Sequence, residues 1–154
     1  MNASALIFGL EDDRDDQESI IEAFKEEQLF HYEFFADIKE FLHVIKRSPK
    51  ARVVVLDYNL PGGTGQEVLD ELKKLIGSKL KATIISGIIT NEMTVQLALS
   101  GAKDCVEKKP GWTQRLAKIV KRHVEDAETE IAKEIMQEEK KIKVNEALKT
   151  LLER

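Results

Sequence analysis

From Ala5 to about His123, short apolar runs alternate with stretches whose apolar residues fall at helical spacing. Ala5, Leu6, Ile7, Phe8, Gly9 and Leu10 break into Glu11-Asp12-Asp13-Arg14-Asp15-Asp16, which predicts a buried strand opening into an acidic loop. Ile20 to Phe24 takes helical spacing, and Asp15 with Glu18 three residues later predicts a cap at the start of that helix. Phe30 to Phe35 alternates aromatics with His31 and Glu33, as a half-exposed edge strand does. Ile38, Phe41, Leu42 and Ile45 mark one face of a second helix, closed by Ser48-Pro49. Val53 to Leu56 is too short for a solo helix and rich in β-branched residues, so it predicts a strand buried on both faces that delivers Asp57 into a loop rich in Gly and Pro.

After that loop, Thr64-Gly65-Gln66-Glu67 has the form of a capping box, and Val68, Leu69, Leu72 and Leu75 stripe a third helix that Gly77 ends. Ala82 to Ser86 predicts a fourth strand, Asn91 to Leu99 a fourth helix, and Asp104 to Lys108 a fifth strand ending at Lys109-Pro110. Five strands alternating with helices imply an α/β fold: a doubly wound parallel sheet covered on both faces by right-handed crossovers.

From Thr113 onward there is no Gly or Pro. Leu116, Ile119, Val120 and Val124 stripe a fifth helix, and the pattern continues through Ile131, Ile135, Ile142, Leu148 and Leu152. The expected division is a domain over 1–123 and a helical extension over 124–154, without a break in the helix. Such a helix runs about 60 Å, and its outer stripe needs a cover because isolated helices are marginal in water. The cheapest cover is the same helix from a second copy, a homodimer through a parallel coiled coil. Glu138 and Asn145 fall on or beside that seam and weaken its register.

Composition narrows the function more than the fold. A net charge of -4 gives no electrostatic reason to expect nucleic-acid binding. The lone Cys105 excludes an internal disulfide framework and suits a reducing cytoplasm. No segment has the apolar length of a membrane span, and no basic leader precedes Ala5 to Leu10. His31, His43 and His123 are scattered without metal spacing.

In the predicted sheet, Glu11 and Asp12 follow strand one, Asp57 follows strand three, Ser86 strand four and Lys109 strand five, all at one carboxyl edge. Three carboxylates crowded there raise one another's pKa unless a cation joins them. Oxygen ligands of this kind, with waters retained, describe a Mg²⁺ site awaiting a phosphate. Asp57 is then the nucleophile for a phosphoryl group, with Lys109 and the Ser86 hydroxyl facing its oxygens. An enzyme hydrolysing an aspartyl phosphate normally needs an Asp-x-Asp pair for its general acid; here Tyr58 and Asn59 follow Asp57, which counts against that class.

LEDD at 10–13, VVVLDYNLPGGTG at 53–65, IISG at 84–87, SGAKD at 100–104 and KKP at 108–110 stand in an order and spacing that resembles the receiver (CheY-like) domain of two-component response regulators. The resemblance covers about 5–123. It implies a flavodoxin-like sheet of order 2-1-3-4-5, Asp57 as phosphoacceptor, and Mg²⁺ held by Glu11, Asp12, Asp57 and the backbone carbonyl of Asn59. It also implies a frequent cis bond before Pro110, and a sensor histidine kinase or phosphotransfer protein as partner. The implied chemistry is limited to the domain's own phosphoryl transfer and slow self-dephosphorylation. The extension resembles helical linkers leading to a further domain. Two departures stand out: Cys105 replaces the usual aromatic of strand five, and one extra residue lies between Gly101 and Lys109. The first keeps a second reading open, an interaction module that no longer switches by phosphorylation.

Overall fold

The computed structural model describes residues 5–48 and 50–153; Pro49, expected to help close the second helix, lies outside them. The five strands are β1 (Ile7–Leu10), β2 (Tyr32–Phe35), β3 (Val53–Asp57), β4 (Lys81–Ser86) and β5 (Ala102–Glu107). They form one parallel sheet in the order β2-β1-β3-β4-β5. The helices are α1 (Arg14–Glu26), α2 (Ile38–Lys46), α3 (Gly65–Ile76), α4 (Asn91–Leu99) and α5 (Trp112–Leu152).

Side chains alternate across a strand, so the central run divides between two cores. Val54 and Leu56 join Phe8, Leu10, Ile84, Phe41, Leu69, Leu72 and Leu97 under α2, α3 and α4. Val53 and Val55 join Ile7, Ile85, Ile20, Phe24, Leu116 and Val120 under α1 and α5. The fully buried Phe24 and Phe41 anchor opposite faces, each contributing about 2–3 kcal/mol by removal from water.

The ends of the elements correct the sequence reading in places. The cap of α1 is Asp13, whose carboxylate accepts from Asp16 N–H at 2.9 Å, two residues before the expected Asp15. The edge strand is shorter than Phe30 to Phe35, and Phe30 is exposed. β5 begins two residues earlier than expected, with a register shift that leaves Lys103 opposite the step from Ala82 to Thr83, as in a β-bulge. Thr64 caps α3 as expected, accepting from Glu67 N–H at 3.2 Å.

α5 remains packed beyond His123. Val124, Ala127 and Ile131 are buried, and the next turn is held by charge. Arg52, just before β3 and only 5% exposed, donates to Glu130 at 3.3 Å and to Glu134. Lys81 at the start of β4 reaches Glu130 at 2.8 Å, and Lys79 reaches Glu134. Burial works to raise the Glu130 carboxyl, but Lys81 and Arg52 outweigh it and hold it below its ordinary range. After Glu134 the apolar residues Met136, Ile142, Val144, Leu148 and Leu151 are exposed. Among the described residues, no helix is long and apolar enough to cross a membrane.

Candidate functional site

β3 ends at Asp57 because the apolar ladder ends there, and the chain then makes a tight hairpin in which Asn59–Leu60 pairs antiparallel with Gly63–Thr64. Pro61 and Gly62, the latter with φ of 84°, turn the hairpin. The Gly65 N–H donates to the Tyr58 carbonyl at 2.8 Å. A Cβ on Gly65 would lie 2.5 Å from the Asp57 carbonyl oxygen, so only glycine lets α3 begin this close to Asp57.

Around Asp57 the carboxyl edge of the sheet brings Glu11 and Asp12 together, with one oxygen of each of the three carboxylates within 4.8 Å of the others. Glu11 and Asp57 are buried and Asp12 is exposed. Burial, then the hydrogen bond shared with Asp57, pushes the Glu11 carboxyl up to about 8. Glu11 is fixed in place by the Asp13 N–H, which donates to Oε2 at 3.1 Å, while Gln17 holds its carbonyl. Asp57 Oδ1 accepts from Asn59 N–H at 3.2 Å. Ser86, buried one residue beyond the partner of Asp57 in β4, accepts from Ile88 N–H at 3.4 Å.

The cation at this site is Lys108, not Lys109. Lys108 Nζ lies 2.7 Å from Glu11 Oε1, 2.7 Å from Asp16 Oδ2 and 3.2 Å from Asp57 Oδ2, and 5.5 Å from the centre of the Trp112 ring. Burial works to lower its pKa, but Asp16, Glu11 and Asp57 together raise it, so the ammonium stays charged. Lys109 is largely exposed and pairs with Glu107 at 2.7 Å. The reason is the strand period. Lys108 continues the β5 ladder, its N–H donating to the Ser86 carbonyl at 2.8 Å, and so keeps the face of Val106 toward α1. At Lys109 the chain has already turned, its N–H bonding back to the Glu107 carbonyl at 2.8 Å. The bond before Pro110 is trans.

Sequence reasoning therefore missed Lys108 and one of its three carboxylate partners, Asp16. The extra residue counted before Lys109 was the available signal for the lysine. Nothing in the linear order singles out Asp16 among its acidic neighbours; it is selected by its place in the first turn of α1, where its side chain reaches Lys108. Cys105 is half-buried, with burial and then Asp104 raising its thiol pKa, which makes it a poor nucleophile.

The family profile of the response regulator receiver domain matches residues 7–121. No curated protein shows significant similarity to the chain. Among solved structures, the BeF3-activated DrrB receiver domain is 25% identical with a TM-score of 0.67, over 79% of this chain and 98% of that one. The phosphorylated cyanobacterial phytochrome response regulator RcpA is 24% identical with a TM-score of 0.63, over 77% and 89%. A CheY-like receiver domain protein from Methanospirillum hungatei JF-1 is 23% identical with a TM-score of 0.69, over 82% and 98%. With a five-stranded sheet in receiver order and an acidic cluster at its carboxyl edge, the chain belongs to the response regulator receiver domain family, the phosphoacceptor switches of two-component signalling.

Proposed function

We propose that Asp57 accepts the phosphoryl group. The observation that carries this reading is a carboxylate 7% exposed at the end of the central strand, with an ammonium 3.2 Å away and two further carboxylates beside it. In the step, an Asp57 oxygen attacks the phosphorus of a phosphohistidine. The new P–O bond forms as the P–N bond breaks, and the leaving imidazole nitrogen keeps the electron pair. The Lys108 ammonium and the Ser86 hydroxyl supply donors to the oxygens of the transferred group. Lys108 takes the role first assigned to Lys109.

The donor set fits Mg²⁺, since it is all oxygen and carries a charge conflict that a divalent ion relieves. Glu11, Asp12, Asp57 and the Asn59 carbonyl would hold the ion, which when bound would supply neutralising charge to the phosphoryl oxygens. The chain's own chemistry ends with this transfer and slow hydrolysis of the acyl phosphate. Its partner is a sensor histidine kinase or phosphotransfer protein in the cytoplasm.

The exposed stripe from Met136 to Leu152 supports the second part of the reading, a homodimer through the end of α5. Sedimentation at micromolar concentration then gives a dimer for the intact chain and a monomer for one cut after Ile135; a monomeric intact chain removes the coiled coil.

The phosphoacceptor is tested by intact mass after incubation with Mg²⁺ and acetyl phosphate. One added phosphoryl group is expected on the wild type and none on Asp57→Asn; labelling retained in the variant overturns the assignment. The other reading, a module that no longer switches, rests on Cys105 and predicts no labelling of either protein.

A further inference from the structure

The loop from Gly87 to Thr90 leaves β4 at Ser86 and enters α4 through its Thr90 cap. Two consecutive amides of this loop are held by side chains from two different strands. Ile88 N–H donates to Ser86 Oγ at 3.4 Å, and Ile89 N–H donates to Glu107 Oε1 at 3.1 Å. The other oxygen of the same carboxylate, Oε2, faces Lys109 Nζ at 2.7 Å. The Glu107 carbonyl accepts from Lys109 N–H at 2.8 Å and from Arg115 Nη2 at 3.3 Å, while Arg115 Nη1 reaches the Pro110 carbonyl at 3.1 Å. One residue of β5 thus joins the loop, the turn after the strand and the first turn of α5.

Apolar packing does little to hold the loop. Ile88 is 71% exposed, and no atom lies within 4 Å of where a Gly87 side chain would begin. Beneath it, between α4 and β5, a groove of about 390 Å³ is lined by Ile89, Thr94, Ala98, Cys105 and Glu107. Cys105, two residues before Glu107 and therefore on the same face of β5, is too small to fill it. With little packed on the loop and space below it, the two side-chain ties decide where it rests.

We propose that Glu107 is the positioning residue that holds the Gly87–Thr90 loop in its resting place, and that the Glu107–Ile89 bond sets how readily the loop follows Ser86 when a phosphoryl group arrives on Asp57. This rests on the reading of Asp57 and Ser86 above. A Ser86 hydroxyl turned toward a phosphoryl oxygen gives up the Ile88 amide, and the bond from the Ile89 amide to Glu107 then remains to tie the loop to the sheet. Lys109 shares the carboxylate and keeps it ionised: it is the first cause, ahead of the Ile89 amide, of the lowered Glu107 pKa. The inserted lysine thereby acts on the loop through Glu107 and not on the phosphoryl group directly.

Hydrogen exchange of the resting 154-residue chain, without Mg²⁺ or phosphodonor, tests the tie separately from phosphorylation. Glu107→Ala speeds exchange of the amides from Ile88 to Thr94 by about fivefold, the scale of losing one exposed charge-assisted bond. Glu107→Gln keeps an acceptor carbonyl and stays within about twofold of wild type on the same scale, and Lys109→Ala falls between the two. After labelling with acetyl phosphate and Mg²⁺, Glu107→Ala gains less additional exchange in this segment than wild type, because its loop is already released. Wild-type exchange in resting Glu107→Ala overturns the proposal, as does Glu107→Gln exchanging as fast as Glu107→Ala. If the wild type takes up no phosphoryl group, the Asp57 reading fails, while the resting exchange still decides whether Glu107 holds the loop.

Discussion

The two edges of the sheet treat buried charge in opposite ways. At the carboxyl edge, Glu11, Asp16 and Asp57 face one ammonium, Lys108, with Asp12 beside Glu11 and Asp57, and burial followed by the neighbouring Asp57 leaves a glutamic acid that holds its proton up to about 8. At the amino edge, Arg52, Lys79 and Lys81 meet Glu130 and Glu134 from α5, and both carboxyls are held below their ordinary range. Where each carboxylate meets two cations, the network fixes structure; where several carboxylates share one cation, negative charge is left for a ligand to meet. The amino edge is where α5 is fastened, and the carboxyl edge is where a cation and a phosphoryl group find unmet charge.

The largest effect that sharpens this contrast is on rate. Lys108→Ala slows phosphoryl uptake from acetyl phosphate by about a hundredfold, the scale of removing one preorganised charge from a transfer site. Lys109→Ala leaves uptake within about twofold on that scale. The reverse ranking, read by intact mass over time, returns the role to Lys109.

Next comes the amino edge. Neutralising both partners in Glu130→Gln/Glu134→Gln leaves the Arg52 guanidinium buried without a counter-charge, at a cost of about 2 kcal/mol, after allowing for the partial exposure of both glutamates. Urea unfolding measures it, and a loss near zero makes the network a surface ornament.

A further effect follows pH. The folded Glu11 binds its proton up to about 8, against 4.5 ordinarily, so across that window the native state holds more protons than the unfolded chain. Stability without Mg²⁺ therefore falls as pH rises through the window. Glu11→Gln removes this fall, and saturating Mg²⁺ lessens it by taking the proton's place. A melting temperature that instead rises over the same window in wild type contradicts the charge conflict.

The smallest expected effect is that of a cut after Ile135, which removes no buried contact to the domain and shifts the unfolding midpoint of the protomer little. A marked drop, measured under monomeric conditions, shows that the outer helix also stabilises the domain.

Much of this molecule is legible in one dimension because its rules are local. The short unbroken apolar run of Val53 to Leu56, period 3.6 in the helices, the Thr64 cap and the Gly77 stop depend on neighbours a few residues apart, and they set out the five strands, the five helices and Asp57 at the end of the central strand. The motifs bring Glu11, Asp12 and Ser86 to the same edge for the same reason: each stands at or just beyond the end of a strand. What sequence could not decide depends on a single residue of phase or on distance along the chain. Two adjacent lysines look alike, and the β5 ladder alone turns Lys108 inward and Lys109 out. Arg52 and Glu134 are 82 residues apart, and their meeting at the amino edge, beside the buried Val124, Ala127 and Ile131, helps hold α5 against the domain beyond His123. Local pattern determines which elements form and which edge carries the chemistry; tertiary packing determines which of two neighbouring charges reaches it, because burial pays off only for the side chain whose face and partners the fold supplies.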